Sequence, residues 1–145
     1  MARTSRQTTV VLPDRAPLIS RDGIIRSALW ASVVLNILGV IVFLPPGLGI
    51  PSFLVPLPGP RFYFGQIAYT IGLFACVYAW LARQDRINRA LVVVGALGKL
   101  GFFLLFVAYW MAGDVQAKSV MQATPDLVLA AIFLWWASTE PTKSR

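Results

Sequence analysis

Four apolar segments of about 20 residues each constrain the fold of this chain more than any other feature. They cover residues 24–44, 62–82, 88–111 and 118–138. An α-helix rises about 1.5 Å per residue, so each segment is long enough for the roughly 30 Å hydrocarbon core of a bilayer. The sequence therefore predicts an all-α, polytopic membrane protein, in which an antiparallel bundle of four transmembrane helices forms the only domain.

Composition and charge agree with this prediction and suggest an orientation. Of the 145 residues, 57% are hydrophobic and 13% are charged, which is too apolar for an ordinary soluble domain. Most of the thirteen Lys and Arg residues lie in the N-terminal arm (residues 1–23), around the second connection or in the C-terminal tail (residues 139–145). Because positively charged connections stay on the cytoplasmic side, we expect both termini in the cytoplasm.

Two charged residues lie well inside the apolar segments, away from the segment ends. Lys99 is near the middle of the third segment, and Asp126, in the fourth, shares a helix face with Ser119 and Gln122. A charge at the bilayer centre costs about 2.5–3.5 kcal/mol and usually faces the interior of a bundle. The helical rise places Lys99 about 6 Å deeper than Asp126, within the reach of a lysine side chain. A contact between the two side chains is therefore sterically feasible.

Other polar side chains lie at similar depths or nearer to the first connection. We combine them with the two charged residues into one predicted intramembrane polar cluster, which is also a candidate ligand-binding site. Its members are Lys99, Asp126, Asn36, Gln66, Tyr69 and Tyr109.

The first connection, residues 45–60, has an unusual composition. It holds six prolines and three glycines together with several apolar side chains. Prolines forbid a continuous helix, whereas apolar side chains resist exposure to water. Two interpretations stay open: a lid that gates access to the polar cluster, and a stiff connector that dips into the membrane interface.

The second segment carries small residues at alternating spacings of three and four. They place a stripe of small side chains along one side of the helix, and such stripes let transmembrane helices approach closely. The partner is either another helix of this chain, which we favour, or the same helix of a second copy. The stripe consists of Gly65, Ala68, Gly72, Ala75 and Ala79.

Pro125 leaves two interpretations of the fourth segment. Thr124, Pro125 and Asp126 have the order typical of a helix start, with a capping residue, a first-turn proline and an acid. A helix that began there would span only about 22 Å, which is shorter than the hydrocarbon core. We therefore favour a longer helix that bends or breaks near Pro125.

Several classes of function find little support in the sequence. The chain has no His and a single cysteine, Cys76, so no intrachain disulfide can form, and we expect neither a metal site nor a cofactor. No nucleophile paired with a base and no phosphate-binding glycine loop occurs, so we name no catalytic residue and favour a non-enzyme. Nearly all of the aromatic residues lie inside the apolar segments instead of among the basic ones, which argues against nucleic acid as a partner.

Two motifs resemble a known family. The stretch GALGKLGFF surrounds Lys99, and DLVLAAIFLWW begins at Asp126. With the basic second connection, they are similar to the DoxX-like small four-helix bacterial membrane proteins, over about the last 80 residues. The resemblance implies a bacterial cytoplasmic (inner) membrane protein, in a grouping where some members are linked to thiosulfate and quinone oxidation. This chain lacks the His and multiple Cys expected for direct sulfur redox chemistry, so no catalytic residue is carried over.

Three hypotheses of function follow. The one that we favour at this stage is a non-catalytic accessory or structural subunit, which contacts the lipid bilayer and a larger membrane complex or further copies of itself. A second is a binder of a quinone, lipid or other amphiphile in a polar cavity around Lys99 and Asp126. A third is an oligomeric transporter or proton pathway, in which these two residues exchange a proton.

A charge-reversal experiment tests the contact between the two charged residues. Lys99→Asp and Asp126→Lys each leave two like charges in the bundle, so both single variants are expected to accumulate poorly. The double variant restores an opposite pair and is expected to accumulate better than either single variant, as measured by the folded yield from membranes. Equal damage in the double variant would argue against pairing.

Overall fold

Four helices make up the structure, a computed structural model that describes residues 20–51 and 59–139. Within those two ranges there is no β-strand, and each helix is long and apolar enough to cross a membrane. The all-helical class predicted from the sequence is therefore confirmed. The helices are α1 (Arg21–Gly47), α2 (Arg61–Arg83), α3 (Arg89–Met111) and α4 (Ala117–Ser138).

The first helix begins three residues before the predicted residue 24, because a polar capping turn precedes its apolar body. The Ser20 hydroxyl accepts a hydrogen bond from the Gly23 backbone N–H at 3.0 Å. Asp22 lies in the first turn, near the positive end of the helix dipole. The helix therefore begins within the predicted arm of residues 1–23, of which residues 1–19 lie outside the described ranges.

The other end of α1 lies three residues beyond the predicted residue 44. Pro45 and Pro46 form part of its last turn, although neither has a backbone N–H to donate. The turn is closed by the Leu48 N–H, which donates to the Leu44 carbonyl at 3.0 Å, and Gly49 follows with a positive φ of 83°. Residues 52–58, on which the lid and connector interpretations depend, are outside the described ranges, as is the tail after Thr139.

The fourth helix runs through Pro125 without interruption. A helix start at Thr124 is therefore wrong, and the Thr124 hydroxyl instead donates to the Val120 carbonyl at 3.3 Å. Pro125 removes one helical hydrogen bond, but buried residues on both sides of it, Ala123 and Leu129, anchor the helix against its neighbours.

The helices pack as two pairs. α1 lies along α2 and α3 lies along α4, while α1 makes fewer contacts with α4, and α2 and α3 touch least among the neighbouring helices. One end of the molecule, which we call the arginine end, holds the start of α1 with Arg21 and Arg26 beside the ends of α2 and α4. The opposite end, which carries Pro45, Pro46 and Pro60, is called the proline end.

The small stripe of α2 contacts α1. A Cβ atom on Gly47 would lie only 2.8 Å from the Gly65 backbone nitrogen, so the two backbones meet almost directly. Further along, a Cβ atom on Gly72 would lie 3.5 Å from the Val40 side chain. The contacts of the stripe that the structure describes are thus made within the chain.

The main hydrophobic cluster of the described residues lies in the half of the molecule toward the arginine end. All four helices contribute to it there, and the two helix pairs are held together by this half. Its buried members are Ile25, Ala28, Leu29, Val33, Tyr78, Leu81, Ala82, Val92, Ala96, Leu129, Phe133 and Trp136.

Arginine side chains close the same end by binding the last carbonyls of neighbouring helices. Arg26 donates to the carbonyls of Ala82 at 2.7 Å and Gln84 at 2.6 Å, at the end of α2. Arg21 donates to the Thr139 carbonyl at 2.6 Å, at the end of α4, and Arg89 also binds this carbonyl, at 2.9 Å. A cation is favourable there because the free carbonyls give a helix C-terminus a partial negative charge.

Arg26→Gln is expected to destabilise the fold by about 2 kcal/mol, because it removes charged hydrogen bonds to the end of α2. Equilibrium unfolding in mixed detergent micelles measures the effect. The matched control is Arg86→Gln, which removes the same charge from the same end of the molecule at an exposed residue. Equal losses in the two variants would contradict a specific role for Arg26.

Candidate functional site

A cavity of about 580 Å³ lies between the four helices, in the half toward the proline end. Its volume falls within the range of roughly 300–1,000 Å³ that is typical of small-molecule sites. Several lining residues, among them Leu38, Thr70 and Gly98, are also exposed at the molecular surface, so the cavity is open to the outside. The lining residues on α1 and α2 include Leu35, Asn36, Phe43, Ile71, Phe74 and Tyr78, and those on α3 and α4 include Lys99, Phe102, Phe106, Ser119, Gln122 and Asp126.

An ion pair lies in the cavity wall. Lys99 Nζ on α3 is 2.6 Å from Asp126 Oδ1 on α4. The side chains are almost buried, with exposed fractions of 4% and 14%. The contact that the helical rise makes feasible is therefore present, and it fixes the relative rotation and depth of α3 and α4.

Helical spacing explains how both charges reach the cavity. Lys99 shares one face of α3 with Phe102 and Phe106, and all three line the cavity. Asp126 lies seven residues after Ser119, close to two full turns, so these two side chains point the same way from α4. The face that carries the ion pair is thus partly aromatic on α3 and small and polar on α4.

Tyr78 supports the lysine from the core side. Its ring centroid is 5.3 Å from Lys99 Nζ, within the range of a cation–π interaction, and only 2% of the residue is exposed. The Tyr78 hydroxyl donates to the Gly95 carbonyl at 3.3 Å. A Cβ atom on Gly95 would lie 2.8 Å from the tyrosine ring, so the absence of a side chain there leaves room for it.

Tyr78 was not among the sequence-predicted site residues, although a signal for it exists. It lies three residues after Ala75, so it projects from the same side of α2 as the small stripe. A large aromatic residue on a stripe of small ones indicates a side chain directed between helices, not toward lipid.

Asn36 is the other predicted residue that reaches the cavity. Its Nδ2 donates to the Ile71 carbonyl at 3.1 Å, which ties α1 to α2 in the same way that the ion pair ties α3 to α4. Three neutral polar residues outside the predicted cluster also line the cavity, namely Thr70, Ser119 and Gln122. The polar part of the site is thus built from all four helices.

The remaining members of the predicted cluster do not line the cavity. Gln66 is exposed, and Tyr69 and Tyr109 have exposed fractions of 71% and 53%. Their depth along the helices fits the cluster, but each helix is rotated so that they face outward. The structure therefore leaves these three residues outside the cavity, since sequence spacing gives depth more directly than rotation.

The chemistry that this arrangement supports is binding. Apolar and aromatic side chains form most of the lining, with Phe102 and Phe106 in edge-to-face contact at 5.0 Å between ring centroids. A group of His, Cys, Asp or Glu that could hold a metal does not occur among the residues that the structure describes. The site is suited to a molecule with an apolar body and a small polar head.

A second, smaller cleft of about 300 Å³ lies at the arginine end. Arg21, Arg26 and Arg89 line it, but their guanidinium groups already bind helix carbonyls. Asp22 and Asp85 add negative charge to the same cleft. We assign this cleft to the structure of the helix ends and not to ligand binding.

Gly95→Ala is expected to destabilise the protein by about 1–3 kcal/mol, because the new methyl group displaces the Tyr78 ring from beneath Lys99. Thermal unfolding in detergent, followed by circular dichroism, measures the loss. Gly101→Ala is the matched control on the same helix, since a Cβ atom there meets nothing within 4 Å. If both variants unfold at the same temperature, the contact between Gly95 and Tyr78 has no energetic role.

Comparisons with known proteins found no match for this chain. No protein-family model matches the sequence, and no curated protein or solved structure matches it. The resemblance to DoxX-like proteins therefore stays a prediction from the sequence, based on the basic second connection and the two motifs around Lys99 and Asp126.

Proposed function

We propose that this protein is a multi-pass membrane protein that binds an amphiphile in the cavity between its helices. The observation that most supports this proposal is a cavity of about 580 Å³, with an ion pair between Lys99 and Asp126 in an otherwise largely apolar wall. In this proposal the four helices cross a bacterial inner membrane as an antiparallel bundle, with both termini in the cytoplasm. Quinones and lipids belong to the class of amphiphiles considered.

The distribution of the lining supports an amphiphile over a fully polar ligand. Phe74, Phe102 and Phe106 offer aromatic surface for an apolar body. The ion pair, with Ser119 and other neutral polar residues, offers hydrogen-bonding groups for a head. Ligand sites usually combine a mostly apolar lining with a few polar groups that orient the molecule.

The sequence favours a purely structural role. The cavity weakens the case for that role. Interiors that serve packing alone are filled to the density of organic crystals. Here such packing occurs toward the arginine end, whereas the half toward the proline end keeps an open volume lined by polar groups. An ion pair that only joined α3 to α4 would not need this volume beside it.

A proton or solute pathway receives less support than binding. The cavity is open toward the surface of one half, but the core cluster, with Leu29, Leu81 and Phe133, packs the bundle between the ion pair and the arginine end. A continuous path would have to cross this packed region. Access from lipid through the side of the bundle, where α2 and α3 touch least, fits the open half better.

Gly98→Leu tests the proposal by reducing the volume of the cavity. Gly98 lines the cavity and is exposed, and a Cβ atom there makes only ordinary contacts, 3.9 Å from the Phe74 ring, so the fold is expected to tolerate the change. The control is Gly101→Leu, one turn further along α3, where a Cβ atom meets open space. Wild type and both variants are extracted into native nanodiscs, and bound molecules are identified by native mass spectrometry.

We expect a molecule bound in about stoichiometric amount to wild type and to Gly101→Leu, and a strong reduction in Gly98→Leu. Lys99→Ala is expected to reduce the same species, because it removes the cation of the polar wall. Identical bound species in all variants, in the proportions of the surrounding bilayer, would contradict a binding function.

A further inference from the structure

We propose that the cavity selects uncharged amphiphiles and discriminates against anionic ones, because its own charges cancel. This inference rests on the proposed function and specifies the ligand class of the same site. It follows from which lining groups carry charge, how closely they are paired and which hydrogen-bonding groups are left for a ligand.

The charge balance of the lining is zero. Among the lining residues, only Lys99 and Asp126 carry a formal charge, and they have opposite signs. The other polar groups of the lining, such as Asn36, Ser119 and Gln122, are neutral. Three charged residues lie at or beside helix ends at the proline end and are not part of the lining. They are Arg61, Asp114 and Lys118.

The close contact of the pair makes this cancellation effective. At 2.6 Å between Nζ and Oδ1, an incoming anion close to Lys99 also comes close to Asp126. Attraction to one charge is then offset by repulsion from the other, while the anion still loses its hydration. The anion could gain a full partner only by separating Lys99 from Asp126, which would leave a carboxylate unpaired in an apolar wall.

An uncharged head meets no such penalty. A lysine ammonium has three N–H donors, and within the described part of the chain Asp126 is its one hydrogen-bond partner. A carbonyl, hydroxyl or sulfonyl oxygen can accept from the ammonium while the ion pair stays intact. The neutral amide and hydroxyl groups of Gln122 and Ser119 add further hydrogen-bonding capacity on α4.

Two synthetic amphiphiles of nearly equal size test the selection. Dodecyl methyl sulfone is uncharged, and dodecyl sulfonate carries one permanent negative charge where the sulfone has a methyl group. Both are added in equal amounts to the full chain in nanodiscs of an uncharged lipid. Native mass spectrometry measures the ratio of bound sulfone to bound sulfonate.

The informative variant is Asp126→Asn, which leaves Lys99 with its charge and without a counter-ion. Because both proteins are measured in the same bilayer, dividing the wild-type ratio by the Asp126→Asn ratio cancels the different partitioning of the two amphiphiles. We expect this quotient to be at least about tenfold in favour of the sulfone in wild type. Gly101→Leu, which lies outside the lining, is expected to give the wild-type ratio.

Three outcomes would overturn the inference or its foundation. A quotient near one, or a quotient in favour of the sulfonate, would overturn the charge selection while leaving the binding function in place. Binding of neither amphiphile to wild type would overturn the proposed function and the selection with it. If Asp126→Asn does not accumulate, the exchange of Lys99→Asp with Asp126→Lys replaces it: this variant keeps a neutral cavity and must retain the preference for the sulfone, and loss of that preference would overturn the inference.

Discussion

The pairing of two opposite charges inside an apolar bundle is the interaction on which the rest of this structure depends. Neither Lys99 on α3 nor Asp126 on α4 can stay buried alone without a large desolvation cost, so the two helices are fixed in rotation and depth by their contact. Tyr78 of α2 then packs against the lysine and forms the side of the core that faces the cavity. The ion pair therefore lies at the boundary between a packed half and an open half.

This boundary separates a packed half, which stabilises the fold, from the half that holds the cavity. Toward the arginine end, large aliphatic and aromatic side chains from all four helices fill the interior, and arginines bind the carbonyls at the helix ends. Toward the proline end, α1 and α2 are joined by the close approach of Gly47 to Gly65 and by the hydrogen bond from Asn36 to Ile71. The cavity lies between this pair and the pair of α3 and α4, which the ion pair joins.

The sequence predicts helix number and depth well because hydrophobic length controls both. The ends of α1 depart from prediction where local chemistry outweighs hydropathy, at the Ser20 cap and in the turn that includes Pro46. The depths calculated from the helical rise were enough to predict that Lys99 and Asp126 can reach each other. Rotation about the helix axis was not predictable in the same way, since it depends on which faces of two helices fit, and this is why Tyr69 faces outward while Tyr78 faces the lysine.

The arginines at the helix ends have a consequence for the order in which the molecule is completed. Arg21 belongs to the first turn of the first helix, yet carbonyls that it binds, those of Trp136 and Thr139, belong to the last turn of the last helix and the residue after it. During synthesis from the N-terminus, these hydrogen bonds therefore cannot form until the chain has been made as far as Thr139. The contact joins the start of α1 to the end of α4, so it can form only after all four helices have been synthesised.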